Sequence, residues 1–138
     1  MRNTNLQAKK RIYLGIPAVA GTEKRVLCIA YDEVVLRTRQ FLLEQAGFKV
    51  TVASRLAQAL VLCEDNPTFD LIVMGHQMPR EDKLALIAAL RPNHRVPVLS
   101  IRKDSDPPFW EADFSVNILD GPEALISAVR SAVAAKSN

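Results

Sequence analysis

From Val26 onward the apolar positions follow two alternating periods. VLCIA (26–30), LIVM (71–74) and VPVLSI (96–101) are nearly unbroken apolar runs of strand length, and FKVTVA (48–53) and FSVNI (114–118) alternate and are rich in β-branched or aromatic residues. Short runs of this kind predict β-strands. Between them the spacing becomes helical. Asp32 is placed to cap a helix whose apolar positions are Val34, Val35, Thr38, Phe41, Leu42 and Gln45, with Gly47 as its stop. Ser54 opens a second helix with Leu56, Ala59, Leu60 and Cys63 on one face, ended by Asn66-Pro67. EDKLALIAAL (81–90) is a third, stopped by Pro92. A last one starts at Pro122, which lacks an N–H where none is needed, and carries the stripe Leu125, Ala128, Val129, Ala132 and Val133.

Strands interleaved with helices predict a three-layer α/β/α fold, because parallel neighbours need crossovers and the crossovers cover both faces of the sheet. In open sheets of this kind ligands bind beyond the carboxyl ends of the strands. The residues just after VLCIA, LIVM, VPVLSI and FSVNI therefore hold the chemistry. One crossover breaks the pattern. In IRKDSDPPFWEADF (101–114), Pro107-Pro108 and the short spacing leave room for little more than one helical turn, so this helix is short or missing.

At 138 residues and 49% apolar, the chain suits one domain with a core of its own. Its formal net charge of +3 is unevenly spread. Residues 1–25 carry Arg2, Lys9, Lys10, Arg11, Lys24 and Arg25 against Glu23 alone, and the remainder is mildly acidic. The division is a basic N-terminal arm, 1–25, and a folded domain, 26–138. KKRIYLGIPAVAG has the basic-then-apolar order of a secretion signal, but Gly15 and Pro17 interrupt the apolar part, and an arm is the better reading. Scattered cations without interleaved aromatics give little reason to expect nucleic acid as a partner. Cys28 and Cys63 lie in apolar runs without the spacing of a metal or redox site and read as core thiols. No run approaches the roughly 18 apolar residues of a membrane span. A soluble, cytoplasmic protein with no membrane partner is expected.

The framework carries a resemblance. Gly47-Phe48-Lys49-Val50, Ala59-Leu60, Asp70-Leu71-Ile72-Val73-Met74 followed by Met78-Pro79, Pro97-Val98-Leu99, Ala112-Asp113 and Pro122-Glu123-Ala124-Leu125 occur in one order and register. From about Val26 to Ala134 the chain resembles the receiver domain of bacterial two-component response regulators. The resemblance implies a flavodoxin-like sheet of order 2-1-3-4-5 and a signalling role. It also implies a phosphorylation site, and there the chain departs from the pattern. The acidic pair after the first strand falls on Ala30 and Tyr31, and the phosphoacceptor aspartate falls on Gly75. The hydroxyl residue ending the fourth strand falls on Arg102, and the lysine ending the fifth falls on Ile118.

A methyl group and a phenol do not supply the hard oxygen ligands magnesium requires, and glycine offers no nucleophile. Asp32, one position beyond the acidic pair, is a lone carboxylate better explained as a helix cap; His76 is one residue past the acceptor position and reads as a loop histidine. There is no GxSxG, glycine-rich phosphate loop, HExxH or dinucleotide fingerprint. The chain is read as a degenerate receiver, not an enzyme, with no metal and no cofactor. Arg102 is read as a fixed charge reaching toward Asp32 or the carbonyls near Gly75, with a solvent-facing side chain as the alternative. Phe109 and Trp110 are interface candidates, since that segment lies on the face receivers use for partners or dimers. The leading function is phosphorylation-independent signalling through protein contact with a kinase, a regulator or a second copy. A small-ligand sensor using the emptied pocket and a nucleic-acid binder using the basic arm are the alternatives.

Overall fold

The computed structural model describes residues 23–65, 69–90 and 96–137. Most of the basic arm, the Asn66-Pro67 helix end and the Pro92 stop lie outside the described residues. The elements run β1 (Arg25–Ile29), α1 (Glu33–Gln45), β2 (Lys49–Ala53), α2 (Leu56–Asp65), β3 (Leu71–Met74), α3 (Arg80–Leu90), β4 (Val98–Arg102), β5 (Phe114–Asn117), a 3₁₀ turn (Ile118–Asp120) and α4 (Pro122–Ser137). All strand pairs are parallel, in the order β2-β1-β3-β4-β5. The parallel sheet is the one expected from the alternation of periods, and its order is the flavodoxin-like one that the receiver resemblance implies. Arg25 already pairs with Lys49, so the sheet begins one residue before the expected boundary.

Strand alternation sorts the core into two layers. Leu27, Ile29, Ile72, Met74 and Val98 face Ala59 and Cys63 of α2 and Leu86, Ile87 and Leu90 of α3. Val26, Cys28, Leu71, Val73, Leu99 and Ile101 face Leu36 and Leu43 of α1 and Leu125, Val129, Ala132 and Val133 of α4. Both cysteines are buried free thiols. Burial pushes the Cys28 thiol up to about 11 and raises that of Cys63.

The ends of α1 follow their sequence signals. Asp32 Oδ1 accepts from the Val34 and Val35 amides at 2.9 and 3.1 Å. At the other end Gly47, at φ 101°, donates to Glu44 O while Phe48 N donates to Leu43 O, a Schellman closure that needs the left-handed backbone glycine adopts freely. The face of α1 differs from expectation. Val34 is 76% and Phe41 61% exposed, whereas the buried positions are Leu36, Arg39 and Leu43. The helix is rolled so that a cation, not Thr38 or Phe41, turns inward.

Between β4 and β5 no helix forms. Residues 103–113 make turns, with Asp106 N donating to Lys103 O at 2.8 Å, Lys103 N to Asp106 Oδ2 at 2.7 Å and Ala112 N to Phe109 O at 3.3 Å. Asp113 then anchors the entry to β5, accepting from Val98 N at 2.8 Å while its own amide donates to Val98 O at 2.9 Å.

Candidate functional site

The residues after β1 and β3 meet where ligands bind in such sheets. Gly75 N donates to Ile29 O at 2.9 Å, so the ends of these strands touch backbone to backbone. A β-carbon at position 75 would lie 2.9 Å from Ile29 O, 3.2 Å from Arg39 Nη1 and 3.4 Å from Ala30 Cα. The guanidinium of Arg39 therefore lies against the space a side chain at residue 75 would enter. Arg39 is 6% exposed, and burial lowers its affinity for a proton, an effect opposed by the neighbouring Cys28.

Ala30 is buried and presents only its methyl group. Tyr31 leaves the crevice for the opposite layer, where its hydroxyl donates to Asp82 Oδ2 of α3 at 2.6 Å. Burial, followed by that hydrogen bond and the carboxylate charge, pushes its phenol up to about 12. Asp32 is exposed and committed to capping α1. The donor set of Ala30, Tyr31 and Gly75 does not fit a magnesium ion. Among the described residues, no group of three or more His, Cys, Asp or Glu is placed to hold a metal.

Arg102 does not bridge to Asp32 or to the carbonyls near Gly75. Its Nη2 donates to Asp106 O at 2.8 Å, which turns the side chain toward the loop that replaces the missing helix. Ile118 opens the 3₁₀ turn after β5 and packs on the α1/α4 layer. Beside Arg102 lies a crevice of about 180 Å³ lined by His76, Lys83, Ser100, Asp106 and Phe109, among others. Lys83 is 8% exposed, and its Nζ donates to Ser100 Oγ at 3.3 Å. Burial lowers the pKa of Lys83, with Asp106 opposing. His76 is likewise lowered, by burial first and then by the Arg39 charge. Such an imidazole stays neutral at pH 7.

Phe109 is partly buried against the α2/α3 layer, with Arg80 and Lys83 each 5.2 Å from its ring centroid. It covers the sheet. Trp110, by contrast, is 83% exposed.

Arg39 and Lys83 were missed in the sequence because both look like solvated helix positions. Arg39 had a signal: Leu36, Arg39 and Leu43 are spaced by three and four, the period of one helix face.

Comparison with solved structures is decisive for the fold. The receiver domain of the Francisella response regulator 1452 superimposes with a TM-score of 0.70 at 24% identity, covering 80% of this chain and 97% of that one. The CheY-like receiver domain protein of Methanospirillum hungatei JF-1 gives 0.69 at 18% identity, covering 84% and 98%. The chain has the receiver fold. No protein-family model matches it. Among curated proteins, the two-component response regulator ARR10 of Arabidopsis thaliana is 31% identical over 86 residues, 62% of this chain. The transcriptional regulatory protein CpxR of Escherichia coli is 32% identical over 77 residues, 56% of this chain. The matches span 16% and 32% of those relatives' lengths. In this receiver fold the strand ends carry a methyl group, a displaced phenol and a buried guanidinium.

Proposed function

We propose that the chain is a receiver-like signalling module of two-component type that works without phosphorylation, as a non-catalytic partner in protein contacts. The observation that carries this reading is the seat of Arg39. Its guanidinium lies 3.2 Å from where a β-carbon of residue 75 would stand, so the acceptor position is without a nucleophile and already filled by a fixed cation. In a phosphorylated receiver, a new anion and its metal bias a two-state surface. Here a permanent positive charge takes that ground, and the surface has a single setting.

The contact face is the one remodelled by the lost helix. Trp110 stands exposed beside β5, the edge strand, next to a hollow of about 410 Å³ lined by residues that include Pro108, Phe109 and Phe114. A large exposed indole beside a hollow is the usual form of an interface anchor, here for a kinase, a regulator or a second copy of the chain. Nucleic acid is not the favoured partner. No helix among the described residues is long and apolar enough to cross a membrane.

The test is incubation of the full chain with acetyl phosphate and magnesium, and separately with beryllofluoride and magnesium. Intact mass is expected to show no phosphoryl adduct, and the fluorescence of Trp110, the single tryptophan, no magnesium-dependent change. A specific adduct overturns the reading. For the contact face, sedimentation of the parent and Trp110→Ala over a range of concentrations reports self-association directly. A heavier species that Trp110→Ala disperses identifies a second copy as the partner.

A further inference from the structure

The guanidinium that fills the acceptor position also lines a cavity on the α1/α4 layer. The cavity is about 270 Å³ and is bounded by α1, β4, β5, the 3₁₀ turn and the start of α4. Most of its walls are apolar, including Val35, Leu42, Ile101, Val116 and Leu125. Its outer rim carries the exposed side chains Val34, Thr38 and Pro122.

Three polar side chains reach the cavity, and two are already engaged. The Thr38 hydroxyl donates to Val34 O at 2.9 Å. Asn117 donates to Asp104 Oδ1 at 3.2 Å and accepts from Leu119 N at 3.0 Å. The third is Arg39, whose guanidinium makes no hydrogen bond or ion pair with any described residue. The groups that bear on it electrostatically, the Cys28 thiol and His76, carry no negative charge at neutral pH. With no anion beside it, this largely buried cation keeps only residual contact with water, and an entering carboxylate would supply the missing partner. The five donors of a guanidinium also match the paired oxygens of a carboxylate.

We propose that this cavity is a binding site for a small amphipathic monoanion, with its acid group held by Arg39 and its apolar body packed among Val35, Leu42, Ile101, Val116 and Leu125. At about 270 Å³ the cavity suits a small ligand such as an aromatic or medium-chain carboxylate. The site is separate from the Arg102 crevice and does not depend on the signalling role. Gly75 bears on it through Arg39, since a β-carbon there would lie 3.2 Å from Arg39 Nη1.

The probes are benzoate and octanoate, with benzamide as the neutral isostere and chloride and acetate at matched ionic strength. Thermal unfolding of the full chain is expected to rise by about 5–10 °C near a hundredfold excess over Kd for at least one of the two amphipathic carboxylates. Benzamide, chloride and acetate are expected to do little. Arg39→Met should abolish the shift and Arg39→Lys should weaken it. Should Arg39→Met fail to fold, Thr38→Phe provides the second arm: Thr38 is exposed on the cavity rim, so the bulkier ring closes the mouth while the parent melting temperature is kept. Loss of the carboxylate shift in Thr38→Phe supports the site. The proposal is overturned if neither carboxylate shifts the transition, if chloride or acetate shifts it equally, or if the shift survives in Arg39→Met or, where that variant does not fold, in Thr38→Phe.

Discussion

Replacing Gly75 by alanine tests the close packing of residue 75 against Ile29 and Arg39. The added carbon would come within 2.9 Å of the Ile29 carbonyl and 3.2 Å of Arg39 Nη1. The first contact is with backbone, which gives little; the second is with the end of a long side chain, which can move. Overpacking of this kind costs about 1–3 kcal/mol. The backbone of Gly75 lies outside the left-handed region, so alanine is conformationally allowed and regains about 0.4–1 kcal/mol by restricting the unfolded chain. The net expectation is a destabilisation of about 1–2 kcal/mol, read by urea denaturation with an unchanged m-value. The charge is tested by a second pair of variants. Gly75→Asp and Gly75→Asn share their shape, but only the aspartate can pair with the buried guanidinium, so Asp should be the more stable by about 1 kcal/mol or more at neutral pH. Gly75→Asp should still form no adduct with acetyl phosphate and magnesium, since Ala30 and Tyr31 supply no metal ligands. An alanine variant as stable as the parent would refute the close packing at Gly75, and an asparagine variant as stable as the aspartate would refute the placement of Arg39 against it.

Further predictions concern the neighbouring residues. Asp32→Ala should cost about 1 kcal/mol, as loss of an N-cap does, and Asp32→Asn nearly nothing; magnesium should not change the parent's melting temperature. A metal-dependent difference between parent and Asp32→Asn would contradict the cap assignment. Tyr31 should ionise late, near 12 rather than its ordinary value near 10. Because the folded state holds the neutral phenol, the stability it contributes is full below about pH 10 and is lost as pH rises through about 12. Ultraviolet titration should show this late phase and lose it in Tyr31→Phe. Cys28 and Cys63, both buried, should not react with a thiol reagent in the native protein, and both should react once urea unfolds it.

The parts of this fold that were legible in the sequence are those where one residue type has one physical use. Parallel strands buried on two sides must be apolar throughout, so β1, β3 and β4 stood out. Asp32, Gly47 and Pro122 each satisfy a backbone requirement at a helix end, and each does so in the structure. The paired prolines at 107 and 108 excluded a helix because neither can donate a helical hydrogen bond. The candidate site was only half legible. The residue types at Ala30, Tyr31 and Gly75 are plain in the sequence, but the side chain that packs against residue 75 is not. Arg102 drew attention because it stands in a position that matters in receivers, whereas its hydrogen bond runs to Asp106 O. Arg39 drew none, because charged helix residues are usually solvated and its face was assigned to Phe41 and Val34 instead. Both of those apolar side chains point outward.

That inversion of α1 links the missing acceptor to the cavity. Rolling the helix to bury Leu36 and Leu43 carries Arg39 in with them, and the intervening cation has to lie against the end of β3. A side chain at residue 75 would collide with it, and an acidic one would neutralise it. With glycine there, the guanidinium of Arg39, a residue lining the cavity, keeps its charge with no described residue to balance it. On the proposed reading Gly75 is more than a position without a nucleophile: it is the residue that lets a buried cation stay available. The consequence can be measured. Gly75→Asp supplies an internal carboxylate to Arg39 and should abolish the thermal shift from benzoate or octanoate, while Gly75→Asn, equal in size, should leave part of it. If the two variants respond alike, the acceptor position and the cavity are not coupled through Arg39.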